Sequence, residues 1–313
     1  MTVLRVVAKR VVMGLAAAWT VLTGVFALFT LTPDWVIQQR VRAMQYGGAS
    51  QAHLDAVREQ YLSARGLNRP LLDQYAHWLG NMVTLHWGHS FSTGDRVLPT
   101  VLDAAARTAT YVLPAIVLAI AVGVLIGVYA ALRPESRLAG AGVGSSYVLF
   151  AVPGFWIGGL LLSLALDGVV GQSELVFGYL LPIALTTAAL LGGYVSYSRA
   201  HAREYASADF VRLVRAKGAT DRRVAVHVLR NAAVPIFSML FTEAIGLLVL
   251  SVFVVETLLG IDGFGLLLVR SVDQRDLPVI LGGILLVIGV GVLGNVIQDL
   301  SYAALDPRVE TDS

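Results

Sequence analysis

The chain has 313 residues, of which 56% are hydrophobic and 14% charged, and its mean hydropathy is +0.71. Soluble domains carry about 25% charged residues, so this composition indicates a membrane protein. The net charge of +2 indicates no nucleic-acid partner, and the lack of cysteine excludes disulfides, thiolate catalysis and cysteine-ligated metals.

Six apolar stretches are long enough to cross a bilayer, since a spanning helix needs about 20 mostly apolar residues. In chain order they cover residues 11–31, 109–132, 138–166, 175–197, 232–258 and 277–297. The first is longer than the apolar core of a signal peptide, and no small-residue cleavage site follows it. We therefore expect an all-α, polytopic membrane protein with six transmembrane helices.

Basic residues are concentrated in three connecting or terminal segments. Arg5, Lys9 and Arg10 precede the first stretch, Arg133 and Arg137 follow the second, and eight basic residues follow the fourth. The connection after the third stretch has acidic residues and no basic one. By the positive-inside rule, the chain is predicted to lie in the plasma (inner) membrane with both termini in the cytoplasm.

Residues 33–107 are then predicted to form an extracytoplasmic segment. Their seven arginines do not contradict this orientation, because the positive-inside rule applies to short connections. Apolar residues have helical spacing in residues 53–64 and Leu71–Val83. The second of these has the stronger stripe, which consists of Tyr75, Trp78, Leu79 and Met82. The pattern favours a small cap on the membrane surface over a docking platform for an extracytoplasmic partner.

The connection between the fourth and fifth stretches, residues 199–231, is the most basic. Its cationic residues are Arg199, Arg203, Arg212, Arg215, Lys217, Arg222, Arg223 and Arg230. Apolar residues recur at helical spacing between 203 and 214, through Phe210 and either Leu213 or Val214, which predicts an amphipathic helix at the inner membrane surface. If only their charge is considered, these basic residues are best explained as a signal that fixes the membrane topology.

The order of residues in this loop is more specific than its charge. Gly218 provides a helix stop, and Thr220 can cap a new turn whose N-terminus favours Asp221. The ordered residues are Glu204-Tyr205, Asp209-Phe210-Val211-Arg212, Arg215-Ala216-Lys217-Gly218, His227, Asn231-Ala232 and Pro235. This series resembles the cytoplasmic coupling loop of permeases in the oligopeptide/dipeptide/nickel branch of ATP-binding-cassette importers.

The resemblance covers nearly the whole chain and is to the first of the two permeases in such systems. Matching motifs are Gly66-Leu67, Gln74-Tyr75, Ser90-Phe91-Ser92-Thr93-Gly94, Pro153-Gly154-Phe155-Trp156, Val254-Val255-Glu256-Thr257, Asp276 with Pro278, and Asp306-Pro307-Arg308. The sequence departs from the family at Thr32-Pro33-Asp34-Trp35, where Pro-Gly-Asp-Pro is usual. It also lacks the Glu-Ala-Ala tripeptide of the generic importer loop.

The resemblance implies a permease subunit that is not an enzyme and needs no cofactor or metal. Such a subunit forms half of the translocation pathway for peptides, nickel or related small solutes. The implied partners are a second homologous permease, two ATPase subunits, an extracytoplasmic substrate-binding protein and membrane lipid. The sequence has no phosphate-binding loop of the Gly-x4-Gly-Lys type, so ATP is expected to act on another chain.

The turn after the amphipathic helix is the predicted contact with the ATPase. Its residues are Arg215, Ala216, Lys217, Gly218, Ala219, Thr220, Asp221, Arg222 and Arg223. A short rigid element seated in the ATPase can transmit its closure as a displacement, and arginines can form charge-assisted hydrogen bonds with carboxylates there. The expected divisions are 1–32 (tail and first helix), 33–107 (extracytoplasmic segment), 108–304 (permease core with coupling loop) and 305–313 (cytoplasmic tail).

Two acidic residues of the fifth stretch are candidates for the pathway, because ionisable groups inside a membrane are costly. Glu243 is equally compatible with binding a substrate ammonium group and with being protonated at the interface between permeases. Glu256 lies near the outer end of the stretch, where it could instead shape a re-entrant segment. His86 and His89 are close together but lack a full set of metal ligands.

The main alternative is a secondary transporter or channel that uses no ATPase partners. Such a protein would be expected to have inverted repeats, broken helices and midplane charges. An intramembrane hydrolase would need a nucleophile–base pair or a metal motif within the spans. The sequence instead has many glycines that suit close helix packing: Gly123, Gly127, Gly158, Gly159, Gly192, Gly193, Gly282, Gly283, Gly289, Gly291 and Gly294.

Overall fold

The computed structural model of the chain describes residues 3–230 and 252–305. In this part of the chain the fold is all-α, and β pairing is limited to an isolated bridge between His89 and Arg96. The first helices are α1 Val3–Leu31, α2 Trp35–Tyr46, α3 Gln51–Ala64, α4 Leu71–Val83, α5 Val97–Leu132, α6 Arg137–Ala151, α7 Gly154–Leu166, α8 Leu181–Ala206 and α9 Asp209–Ala216. The later helical segments are residues 221–230, Val252–Leu259, Phe264–Asp273 and Leu277–Leu305.

Four of the described helices are long and apolar enough to cross a membrane, and the number rises to six if each of two bent pairs is one span. The four candidate spans are Val12–Tyr46, Val97–Leu132, Val176–Ala206 and Leu277–Gln298. The bent pairs are α6 with α7, at 76°, and Val252–Leu259 with Phe264–Asp273, at 81°. These helices confirm an all-α, polytopic membrane protein.

The third predicted span, residues 138–166, is not one straight helix. It breaks between α6 and α7 at Val152 and Pro153, because proline lacks an amide hydrogen and disfavours a helical residue before it. The second predicted span begins earlier than expected, at Val97. The fifth, 232–258, lies mostly outside the described residues.

The described chain divides into two compact units, one of which contains residues 12–105 and 267–290. In this unit α4 packs on α1, where the ring centroid of Phe26 lies 5.4 Å from that of Tyr75 and 5.5 Å from that of Trp78. Trp78 and Met82 are buried, which confirms the apolar stripe predicted for α4.

Helix α2 is absent from the sequence-based prediction. It begins after Asp34, whose carboxylate accepts hydrogen bonds from the backbone nitrogens of Val36 at 3.0 Å and Ile37 at 3.2 Å. An aspartate at this position satisfies donors that have no partner within the first helical turn. The segment of residues 32–35 therefore contains the start of a helix.

The other unit contains the described residues of 1–11, 106–266 and 291–313. Its helices α5 and α8 approach closely at two glycines of α5. A Cβ atom at Gly123 would lie 2.6 Å from Tyr194 Cβ, and one at Gly127 would lie 2.6 Å from Ser198 Cβ. The predicted close packing is confirmed there. For three other glycines, no atom of the described residues lies within 4 Å of the Cβ position, so close packing there stays a prediction: Gly193, Gly289 and Gly291.

Replacing Gly127 with alanine should destabilise the protein, because the new Cβ would lie 2.8 Å from the backbone nitrogen of Arg199. Since backbone cannot give way as a flexible side chain does, we expect the free energy of unfolding to fall by about 1–3 kcal/mol. The measurement is thermal unfolding in detergent. Gly193→Ala is the matched control, and an equal loss in both variants would contradict the close approach of α5 and α8.

Candidate functional site

The basic loop of residues 199–231 is described as far as residue 230. Helix α8 extends into it to Ala206, and α9 begins after a break of two residues. The predicted amphipathic helix between 203 and 214 is therefore divided between two helices. After α9, Gly218 has a φ of +76°, a left-handed conformation that favours glycine and ends helices.

The apolar face of this loop is seated on α5. Val211 of α9 and Val224 and Val228 of the next helical segment are buried in one cluster with Val128 and Ala131 of α5. The contact with α5 fixes the loop against the helix bundle of its own unit.

The opposite face of the loop is exposed. Of the two apolar residues left open by the sequence pattern, Val214 packs against the cluster, whereas Leu213 is 58% exposed. The exposed members of the predicted coupling set are Arg215, Ala216, Lys217, Gly218, Thr220, Asp221, Arg222 and Arg223. Ala219 is partly buried against the cluster. Residues 215–223, called the basic turn below, thus form one accessible turn on a rigid seat.

One acidic member of the basic turn has a partner within the chain. Asp221 forms an ion pair with Arg133, the residue that follows α5. The two side chains are 65% and 58% exposed, so the pair contributes little stability by itself. It links the basic turn to the end of α5 a second time. The sequence identified Arg133 only as a topology signal.

Glu256 is completely buried and is held by three hydrogen-bond donors. Its Oε1 accepts from the hydroxyls of Thr108 at 2.5 Å and Tyr111 at 2.8 Å, both on α5. Its Oε2 accepts from the backbone nitrogen of Leu266 at 3.0 Å. Thr108 Oγ1 in turn accepts from the backbone nitrogen of Phe264 at 2.8 Å. We call this group of contacts the Glu256 clasp.

The clasp closes the bend between two helices. Helix Val252–Leu259 is followed by Gly260 in a left-handed conformation, with φ of +66°, and a new helix starts at Phe264. The first amides of a helix have no partner within it, and here Thr108 and Glu256 supply two acceptors. A Cβ atom at Gly263 would overlap the carboxylate of Glu256, so a larger residue there would displace that carboxylate.

A second buried carboxylate, Asp276, lies in the unit of residues 12–105 and 267–290. It accepts hydrogen bonds from the backbone nitrogens of Phe91 at 3.0 Å and Ser92 at 3.1 Å. The hydroxyls of Ser90 and Ser92 also donate to it. Asp276 therefore holds the loop that carries the motif at residues 90–94.

The neighbouring Arg275 is buried at the end of α1. Its guanidinium donates to the carbonyl oxygens of Phe29 at 2.6 Å and Pro33 at 2.9 Å. It also lies 3.7 Å from the carboxylate of Asp34. Burial lowers the pKa of Arg275, and the charge of Asp34 opposes that shift. Arg275 thus supplies donors to carbonyl groups that the end of α1 leaves free.

Asp34 has a further partner in Tyr61, whose hydroxyl donates to it at 3.0 Å. Burial raises the pKa of Tyr61 to about 12, while the nearby charge of Arg65 acts in the opposite direction. The phenol consequently keeps its proton at neutral pH and remains a donor. These contacts join α2 and α3 to the end of α1.

Comparison with known proteins identifies a family. The family model described as "Binding-protein-dependent transport system inner membrane component" matches residues 123–311. A Brucella ovis protein provisionally named as a peptide permease is 32% identical, with 98% of this chain and 99% of that protein aligned. The oligopeptide transport system permease protein AppB of Bacillus subtilis is 33% identical, over 82% of this chain and 85% of its own. The metal-staphylopine import system permease protein CntB of Staphylococcus aureus is 30% identical, over 78% and 79%.

The chain belongs to this family of binding-protein-dependent permeases. It is therefore a multi-pass subunit of an ATP-binding-cassette importer in the plasma membrane, and it is not an enzyme. Its partners include another permease, an ATPase and a substrate-binding protein. The matched region contains the basic loop, Glu256 and Asp276.

The sequence-based site predictions have different outcomes within this permease. Glu243 lies outside the described residues, and its pathway role stays a prediction. Glu256 is described, but in contact with α5 and a helix start. Among the described residues, no group of three or more His, Cys, Asp or Glu side chains is placed to hold a metal ion. Three residues of these contacts were not identified as site residues from the sequence: Thr108, Tyr111 and Arg133.

Replacing Asp276 with asparagine should loosen the loop at residues 90–94. The amide nitrogen of asparagine is a hydrogen-bond donor, and it would face backbone nitrogens that now donate to the carboxylate. We expect the free energy of unfolding to fall by about 1–3 kcal/mol. Thermal unfolding in detergent and protease cleavage of the loop measure this effect. Asp273→Asn is the control, since Asp273 is exposed and binds Trp35 through its backbone carbonyl. Two equally stable variants would rule out the anchoring role of Asp276.

Proposed function

We propose that this permease forms half of a translocation pathway for peptides, together with a second homologous permease. Two ATPase subunits and an extracytoplasmic binding protein complete the importer. The names of the Brucella and Bacillus relatives, which refer to peptides and oligopeptides, support this cargo. The observation that carries the ATPase contact is the basic turn, which is accessible on one side and seated on α5 on the other.

The basic turn suits the transmission of force between subunits. Its arginines can form charge-assisted hydrogen bonds with carboxylates of an ATPase, and Arg offers two parallel donors to each carboxylate. Buried valines behind the turn, Val211, Val224 and Val228, prevent it from yielding when it is pushed. Closure of the ATPase would then shift the helix bundle between two states.

We further propose a topology of six spans with both termini in the cytoplasm. Its divisions are 1–32, an extracytoplasmic segment 33–107, a core 108–304 and a cytoplasmic tail 305–313. Four long apolar helices and two bent pairs support the count. The concentration of arginine in loop 199–231 and the positions of Arg133 and Arg137 support the orientation.

A metal chelate is the second candidate cargo, because the Staphylococcus aureus relative is named for metal-staphylopine import. Uptake into proteoliposomes that contain the assembled importer distinguishes the two. We expect unlabelled dipeptides and oligopeptides to compete with a labelled peptide, whereas metal chelates leave its uptake unchanged. Competition by chelates alone would contradict the peptide proposal.

Replacing Gly218 with valine should strongly reduce ATP-dependent uptake while the protein still inserts into the membrane. The position has a φ of +76°, which is strongly unfavourable for a β-branched residue, although no atom of the described residues lies within 4 Å of its Cβ position. Gly218→Asn is the matched control, since asparagine tolerates this conformation and should retain most of the uptake. Uptake and ATP hydrolysis are measured in the same vesicles. Normal, ATP-coupled uptake by the valine variant would count against the proposed coupling role.

A further inference from the structure

Helix α5 contacts both the basic turn and the Glu256 clasp. In its first half, Thr108 and Tyr111 donate to Glu256. Near its end, Val128 and Ala131 form the seat of the basic turn. At 1.5 Å per residue, Thr108 and Arg133 lie about 38 Å apart along the helix. All these residues belong to the same compact unit.

The half of α5 nearer the basic turn is tightly packed on α8. The Cβ of Tyr194 and the Cβ of Ser198 both approach glycines of α5, at positions 123 and 127. Only two residues separate α8 from α9, and Ala202 of α8 is buried in the same cluster as Val128 and Ala131 of α5, so we expect a displacement of the basic turn to move α5 and α8 together.

The other half of α5 contains a point where the helix can bend. Pro114 lies inside α5, between Tyr111 and the glycines, and it removes one backbone hydrogen bond of the helix. Immediately after it, the carbonyl of Ala115 accepts from the hydroxyl of Thr187 on α8, at 3.4 Å. The contacts with α8 thus extend along α5 as far as the helical turn that follows Tyr111.

The clasp leaves the bend little freedom relative to α5. Glu256 is completely buried, and it accepts three hydrogen bonds from described residues, so losing them would leave a buried carboxylate without these donors. Gly263 has no space for a Cβ atom beside this carboxylate. The backbone of Gly265 is similarly close to that of Phe253, since a Cβ atom there would lie 3.0 Å from Phe253 Cα.

We propose that Glu256 is a positioning residue that makes the bend at residues 259–264 move with α5. When an ATPase displaces the basic turn, the displacement is then transmitted along α5 and α8 to this bend, and is not absorbed by small shifts of the other helices. The inference rests on the proposed coupling function of the basic turn. It assigns Glu256 to transmission and not to substrate binding.

The test uses the assembled importer in proteoliposomes, with uptake of a labelled peptide and ATP hydrolysis measured together. The clasp variant combines Thr108→Val with Tyr111→Phe, and the control combines Thr110→Val with Tyr129→Phe on the same helix. The control residues do not contact Glu256: Thr110 pairs with Arg107, and Tyr129 with Ser136. Thr108→Ser keeps the donor and should restore coupling in the presence of Tyr111.

We expect the clasp variant to hydrolyse ATP at the normal rate and to import about tenfold less peptide per ATP, the size of effect that losing hydrogen bonds to a buried charge produces. The KM for peptide delivered by the binding protein should not change. A raised KM with normal coupling would assign Glu256 to the pathway and overturn the inference. A parallel loss of uptake and hydrolysis, or of folded complex only, would reduce the clasp to a structural role and overturn it as well.

A double-mutant cycle with Arg133→Gln tests transmission between the two ends of α5. Substitutions this far apart, with no shared partner, are additive when they act independently. The inference predicts that combining the clasp variant with Arg133→Gln lowers the peptide imported per ATP by less than the product of the two separate fold-reductions. A combined reduction equal to that product would overturn the inference. If Gly218→Val leaves uptake coupled to ATP hydrolysis, the proposed function itself is contradicted. If Gly218→Val uncouples the two while the clasp variant does not, only the present inference is contradicted.

Discussion

A carboxylate buried at position 256 joins the two helices on either side of a bend, because it accepts a hydrogen bond from the start of the second helix. The first amides of a helix have no partner within it, and a buried amide that stays unpaired costs free energy. Glu256 and Thr108 provide acceptors for the first amides of helix Phe264–Asp273. Glu256 in turn accepts hydrogen bonds from the hydroxyls of Thr108 and Tyr111 on α5. The geometry of the bend therefore depends on residues of α5 as well as on the residues that flank it in sequence.

The same physical solution recurs at the other buried charges. Asp276 accepts four hydrogen bonds from the loop at residues 90–94, and Arg275 donates to the free carbonyls at the end of α1. The basic turn is built in the opposite way. It is held by apolar contacts on one side and leaves its arginines exposed on the other. Buried charges thus fix the positions of helix ends, and exposed charges remain available for another subunit.

Much of this fold follows from hydrophobic periodicity, which predicted the membrane helices and both α3 and α4. The break at Pro153 was hidden because the apolar run continues on both sides of it. Helix α2 has a readable start signal in Asp34, but its body is too polar and short to stand out. The basic turn was found through the order of its residues. The clasp was not, because Glu256 is separated from Thr108 by 148 positions, and no local pattern connects residues so far apart.

The central claim is that the basic turn contacts an ATPase, and it is tested most directly by cross-linking. The chain has no cysteine, so a single Lys217→Cys substitution gives one unique attachment point. Tyr46→Cys on α2 serves as the control, because this residue is 93% exposed and lies in the proposed extracytoplasmic segment. A short cross-linker should join position 217 to the ATPase of the assembled importer and leave position 46 unlinked. The account would be contradicted if an importer that still hydrolyses ATP gave no cross-link from position 217, or an equal one from position 46.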